Sequence, residues 1–134
     1  MKEGGLKNKF EISDETKINS SADGLIFAKM KEAVLGKDYD LSLVFIGKNK
    51  IKKLNKSYGG ADKATDILSF PLSEKEGEIF ICDEMAVEEA PRFGRSRDNF
   101  IKFLFIHGLA HLKGFEHSGK MENEEKKFRN KFGV

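Results

Sequence analysis

The sequence predicts an α/β (α+β) domain: a small mixed four-stranded sheet packed with helices, with a central buried helix that carries metal ligands. Three observations predict it. Apolar strand-like runs alternate with helical stripes through the first half of the chain, which argues for a mixed sheet covered by helices. The stretch from Phe100 to Leu112 is apolar nearly all round, as a buried helix is. All three histidines of the chain fall on that stretch or just after it. With 134 residues, a single domain over 1–134 is expected, large enough to bury a core without disulfides.

The elements follow in order. Phe10 and Ile12 alternate as in a first strand. Ser20 or Ser21 can cap a helix with apolar positions Leu25, Ile26, Met30, Ala33 and Val34, stopped at Gly36. Leu41 to Ile46 is a dense apolar run, read as a buried strand. Ile51, Leu54 and Tyr58 share one face of a second helix, which Gly59-Gly60 ends. Ile67 to Phe70 is a third strand, stopped by Pro71, and Glu78 to Cys82 a fourth, after a charged turn at Ser73 to Gly77. Met85 to Ala90 is a short helix closed by Pro91. The long apolar helix opens at Ser96 or Asp98 and ends at Gly114, and Met121 to Phe132 forms a charged last helix.

Composition narrows the class. The chain is 39% hydrophobic and 34% charged with two prolines, an ordinary globular composition in which nothing suggests long disorder. Its one cysteine, Cys82, cannot form an intramolecular disulfide and fits a reducing compartment. The start, MKEGGLKNKF, lacks an apolar signal region, and the most apolar stretch is shorter than the roughly 20 residues a bilayer requires. A cytoplasmic protein with no membrane partner is expected. A net charge of +2 neither demands nor excludes RNA. Three of the four arginines (Arg92, Arg95 and Arg97) lie just before the long helix. They form either a solvated loop or a phosphate-contacting patch.

The histidine window reads His107-Gly108-Leu109-Ala110-His111-Leu112-Lys113-Gly114-Phe115-Glu116-His117. Residues i and i+4 lie one helical turn apart on one face, so His107 and His111 can present two imidazoles to one point. Gly114 lets the chain turn, and the turn returns His117 toward that point. Three imidazoles around one Zn²⁺ per chain leave a fourth, open position, as catalytic zinc sites have. A closed structural site would need a further ligand, for which Cys82 is the sole cysteine. Metzincin proteases share the spacing, but they carry a general-base glutamate where this chain has Gly108. Peptide hydrolysis by that route is therefore disfavoured.

This window closely resembles the HGxLHLxGYDH motif of the YbeY family of bacterial rRNA maturation factors. A second stretch agrees: Leu54-Asn55-x-x-Tyr58, then Thr65-Asp66-Ile67-Leu68-Ser69-Phe70-Pro71, resembles the family's LNxxYR and TDVLSFP. Gly77-Glu78-Ile79 matches a family GDI. The resemblance covers roughly residues 40 to 125. It implies a zinc-dependent, single-strand-specific endoribonuclease that acts in maturation of the 3′ end of small-subunit ribosomal RNA and in ribosome quality control. Implied partners are single-stranded or ribosomal RNA and the small ribosomal subunit or one of its proteins. There are departures. Gly59 stands where the family usually has Arg, Glu116 where it has Asp, and Ala110 where it has Leu.

The general base is unidentified by sequence, and Asp66 and Glu116 are the candidate catalytic carboxylates. Asp66 could instead orient a ligand imidazole, or the TD..SFP stretch could be only a strand with a capping edge. Arg92, Arg95, Arg97 and Lys63 are candidate RNA contacts that could replace the missing arginine. Tyr58 and Phe115 read as core aromatics before base-stacking platforms. The alternative function is a non-catalytic, zinc-stabilised ribosome maturation factor that binds RNA.

Overall fold

The computed structural model describes residues 9–16, 24–114 and 119–134. The strands are β1 (Phe10–Asp14), β2 (Asp40–Ile46), β3 (Ile67–Ser73) and β4 (Glu76–Cys82). The helices are α1 (Gly24–Leu35), α2 (Lys48–Ser57), α3 (Asp83–Glu89), α4 (Arg97–Lys113) and α5 (Gly119–Phe132), with a 3-10 turn at Ala90–Phe93. Ser20 and Ser21, the expected caps of α1, lie outside the described residues.

The sheet order is β1-β2-β4-β3. β1, β2 and β4 run parallel, and β3 pairs antiparallel with β4 at the edge. Parallel neighbours need a crossover, which α1 supplies between β1 and β2. The α2–β3 segment supplies the second crossover, so the chain reaches the sheet edge before it returns to β4. This is the mixed four-stranded α+β architecture expected from the alternation of patterns.

Strand side chains alternate between faces, and the two faces are covered differently. Leu41, Leu43, Phe45, Ile79 and Ile81 point to the main core, where α1 and α4 meet them. Phe105 of α4 is fully buried and meets Phe27 of α1 edge to face at 5.1 Å. A buried phenylalanine of this kind contributes about 1.5–3 kcal/mol by area alone. The opposite face carries a smaller cluster of Ile46, Ile51 and Cys82, backed by Leu54, Leu68 and Phe80.

Several boundaries differ from expectation: β4 starts at Glu76, α3 starts at Asp83, and Pro91 does not close the helical stretch but sits in the 3-10 turn that follows. β3 does not stop at Pro71 but continues to Ser73, with Pro71 opposite Gly77 and a register shift between Pro71 and Ser73. Proline lacks an N–H for the ladder, and an edge strand with a bulge tolerates that loss. The turn shrinks accordingly to Glu74 and Lys75.

Candidate active site on the buried helix

Helix α4 begins and ends where its sequence says. The Ser96 hydroxyl accepts the Asn99 N–H at 3.1 Å, which satisfies one orphan donor of the first turn. Gly114 ends the helix in the left-handed region, φ +98°. Between them the helix is pressed against the sheet at Gly108. A Cβ there would stand 2.9 Å from the Ser69 hydroxyl and 3.0 Å from the methyl ends of Ile67 and Ile79. The residue at which metzincins place a general base thus faces β3 and β4, buried in the core. The neighbouring positions 107 and 111 fall on the flank of α4 that meets α5.

On that flank the two imidazoles converge. His107 Nε2 and His111 Nε2 lie 3.2 Å apart, with ring planes at 89°. Around a tetrahedral zinc with bonds of about 2.0–2.1 Å, neighbouring ligand nitrogens lie about 3.3–3.4 Å apart. The pair therefore fits two ligands of one ion. Among the described residues, no group of three His, Cys, Asp or Glu side chains gathers at one point. The third expected ligand, His117, lies outside the described residues with Phe115 and Glu116.

The other ring nitrogen of His107 is also engaged. Its Nδ1 lies 3.0 Å from both carboxylate oxygens of Glu125, a buried residue of α5. Arg129, one turn further along α5, has Nη1 at 3.7 Å from Glu125 Oε1. Glu125 was not among the residues expected from sequence. A signal existed. Met121, Glu125, Phe128 and Phe132 share one helical stripe, and Glu125 is the lone charge in it.

The remaining candidates separate. Asp66 precedes β3 and lies close enough to feel the charge of His107. Burial is the main cause that holds its carboxyl above the ordinary range; Glu89 adds to this, while backbone N–H groups and His107 oppose it. Lys63 is exposed in the α2–β3 connection, where its carbonyl accepts the Asn55 side-chain amide at 3.1 Å. Gly59 sits just past the end of α2 with φ +85°, and a side chain there would meet nothing within 4 Å. The site has room for the family's arginine, but the backbone favours glycine. Tyr58 is 68% exposed, its ring 4.4 Å from that of Phe70, so it is a surface aromatic and not a core one.

The three arginines before α4 do not form one patch. Arg97 grips Asp83 with two bonds, Nε to Oδ1 at 2.9 Å and Nη2 to Oδ2 at 3.2 Å, and a third bond reaches Asp98 at 2.8 Å. The Asp83 hydrogen bond is the main cause that holds the Arg97 pKa above its ordinary value. Asp83 is buried, so this pair ties α3 to the start of α4. Arg95 bonds Asn99 and lies over the Phe103 ring, 4.4 Å from its centroid, and only Arg92 is exposed. Cys82 points with Phe80 into the smaller cluster, on the sheet face away from Ile79 and α4. It cannot serve as a further ligand beside His107.

A family model described as endoribonuclease YbeY matches residues 6–132 of this chain. The chain belongs to the YbeY family. It is 36% identical over 113 residues to an endoribonuclease YbeY of Staphylococcus carnosus (strain TM300), covering 75% of this chain and 73% of that protein. It is 34% identical over 135 residues to the endoribonuclease YbeY of Staphylococcus aureus (strain JH9), covering 86% of each. The solution structure of TM1509 from Thermotoga maritima superposes with a TM-score of 0.65 at 27% identity, covering 92% of this chain and 88% of that one. The YbeY family is thus one of RNA-cleaving hydrolases by its description, and the fold seen here is shared within similar proteins. Among the described residues, no helix is long and apolar enough to cross a membrane.

Proposed function

We propose that this chain is a zinc-dependent, single-strand-specific endoribonuclease that acts in ribosomal RNA maturation, including the small-subunit 3′ end and ribosome quality control. The observation that carries the metal reading is the 3.2 Å approach of the His107 and His111 Nε2 atoms. The same approach suits an N–H···N hydrogen bond between the rings, and loss of that one hydrogen to a cation would leave both nitrogens as ligands. His117 is the third proposed ligand. Zinc held there would supply Lewis acidity at a phosphoryl oxygen. The chain's own contribution is to hold the imidazoles, to keep Asp66 close by as a candidate base, and to offer Lys63 and Arg92 as exposed cations for the RNA backbone. Glu116 stays a candidate carboxylate, and a cytoplasmic setting is part of the proposal.

Elemental analysis and cleavage of labelled single-stranded RNA test this together. About one zinc per chain is expected, with cleavage lost on chelation and in His107→Ala, His111→Ala and His117→Ala, and with casein left intact. A full zinc complement in any of the three variants would remove that histidine from the site. Gly59 favours a second reading, because the family's arginine is missing at that position. Zinc-loaded protein that binds RNA but cuts none of it would establish a non-catalytic maturation factor instead.

A further inference from the structure

We propose that Glu125 is the positioning residue of the histidine pair. Its carboxylate accepts the Nδ1–H of His107, which fixes that tautomer and the ring's orientation, so that Nε2 is presented as a lone pair toward His111. The proposal deepens the metal reading above and rests on it for its consequence, but the tautomer itself exists without metal.

The geometry carries the assignment. A neutral imidazole has one N–H and one lone pair, and either nitrogen can hold the hydrogen. Only the tautomer with hydrogen on Nδ1 leaves Nε2 able to face a cation. An ionised carboxylate is acceptor-only, and both oxygens of Glu125 stand at 3.0 Å from Nδ1, so the nitrogen opposite them must be the donor. Glu125 is 7% exposed, too buried to swing into water. Met121, one turn earlier in α5, is 2% exposed and pins the helix that carries it.

The carboxylate is itself braced. Arg129 approaches Oε1 at 3.7 Å, and its guanidinium lies 5.2 Å from the centroid of Phe103 on α4. Phe103 and His107 are four residues apart on α4, as Glu125 and Arg129 are on α5. The two helices therefore meet in two successive rungs, Phe103 with Arg129 and His107 with Glu125. The first rung sets a guanidinium beside Glu125, and the second delivers that carboxylate to the imidazole. Partners of this kind behind a ligand histidine commonly alter metal affinity 10–100-fold (about that range) when removed.

The experiment has two readouts on the full chain. In metal-free protein with ¹⁵N-labelled histidine, nuclear magnetic resonance reports the tautomer of His107. Competition with a chromophoric chelator reports zinc affinity. Wild type should show the Nδ1–H tautomer. Glu125→Ala should shift His107 toward Nε2–H and weaken zinc binding about 10–100-fold. Glu125→Gln, whose amide oxygen can still accept the Nδ1–H, should recover much of both. Met121→Ala loosens α5 but keeps the Glu125 carboxylate and should leave the tautomer unchanged, which separates positioning from general helix packing. If Glu125→Ala fails to fold, Glu125→Leu, which keeps the buried volume and cannot accept the Nδ1–H, takes its place on the same readouts. An Nε2–H tautomer in wild type, or an Nδ1–H tautomer and wild-type zinc affinity together in Glu125→Ala, would overturn the proposal. Wild-type protein that takes up no zinc would end the metal reading alone, with the tautomer still deciding the role of Glu125.

Discussion

At its N-terminal end α4 opens among charges that the fold itself satisfies. Arg97 is bonded to buried Asp83 and to Asp98, Arg95 to Asn99 and the Phe103 ring, and Ser96 to the Asn99 N–H. At its C-terminal end the same helix aims two like nitrogens at each other, 3.2 Å apart, and braces one of them from behind with Glu125. Both ends are rich in polar residues on an otherwise apolar helix. The difference lies in what the polar atoms meet: opposite charges that tie α3 to α4 at one end, and a second imidazole at the other. Donors matched to acceptors across elements hold those elements together, whereas two imidazoles that converge on one point and are braced from behind suit a site that binds.

The harshest way to break this comparison is Gly108→Glu, which places the metzincin general base into this helix. The side chain would enter between α4 and the sheet, where even a Cβ stands 2.9 Å from Ser69. Overpacking alone costs about 1–3 kcal/mol, and a buried carboxylate without a partner adds several more. Together these approach the whole margin of a small domain, roughly 5–15 kcal/mol. We expect loss of the cooperative thermal transition and no gain of peptidase activity. Gly108→Ala should fold with a lower Tm. A stable Gly108→Glu protein that cuts peptides would show that position 108 faces the histidines and not the sheet.

Next in size is Arg97→Ala. Removing one partner of a fully buried ion pair costs about 3–5 kcal/mol, and Arg97 is partly exposed, so about 2–3 kcal/mol is expected here. In a domain of this size that is a fall of roughly 10 °C in Tm. Cleavage per folded molecule, measured well below that Tm, should stay near wild type. A variant with unchanged Tm and impaired RNA cleavage would return Arg97 to the RNA interface and erase the contrast between the two ends of α4.

The same contrast marks where the sequence was readable. Periodicity and punctuation located every strand and α-helix among the described residues, though not the 3-10 turn at Ala90–Phe93, because strand alternation, the Ser96 cap and the stop at Gly114 are local properties. β3 ran past Pro71 because whether a proline ends a strand depends on its place at the edge of the sheet, which is a matter of topology. The histidines were legible because i and i+4 spacing on a helix fixes their mutual position. The arginine cluster was not. Arg92, Arg95 and Arg97 are near neighbours in sequence, yet the partner that settles the role of Arg97 is Asp83, fourteen positions away. Glu125 lay eighteen positions from His107, and only its place in an apolar stripe hinted at it.

The smallest effect concerns Asp66, which lies between the two kinds of behaviour. Burial, first, and Glu89, second, hold its carboxyl above the ordinary range, against the backbone N–H groups and His107 that favour its charge. A folded pKa raised above the unfolded value means that the fold prefers the neutral acid. Ionised Asp66 is thus a small liability at neutral pH, and it is relieved as the pH falls through the folded pKa toward the ordinary carboxylate range. Asp66→Asn, neutral at every pH, should raise the Tm by a few degrees at neutral pH, an effect of about 1 kcal/mol or less. The advantage over wild type should shrink as the pH is lowered to about 4, where wild type protonates as well. Comparing variant and wild type at each pH cancels the other carboxylates and the histidines. Cleavage sharpens the result. If Asp66 acts on the RNA or on the histidine pair, Asp66→Asn will be more stable and slower, the signature of a group kept for function at the expense of the fold. Equal or lower stability across the whole pH range would show that the backbone N–H groups outweigh burial, and Asp66 would then belong with Ser96 and Asp83 among the residues that the fold satisfies.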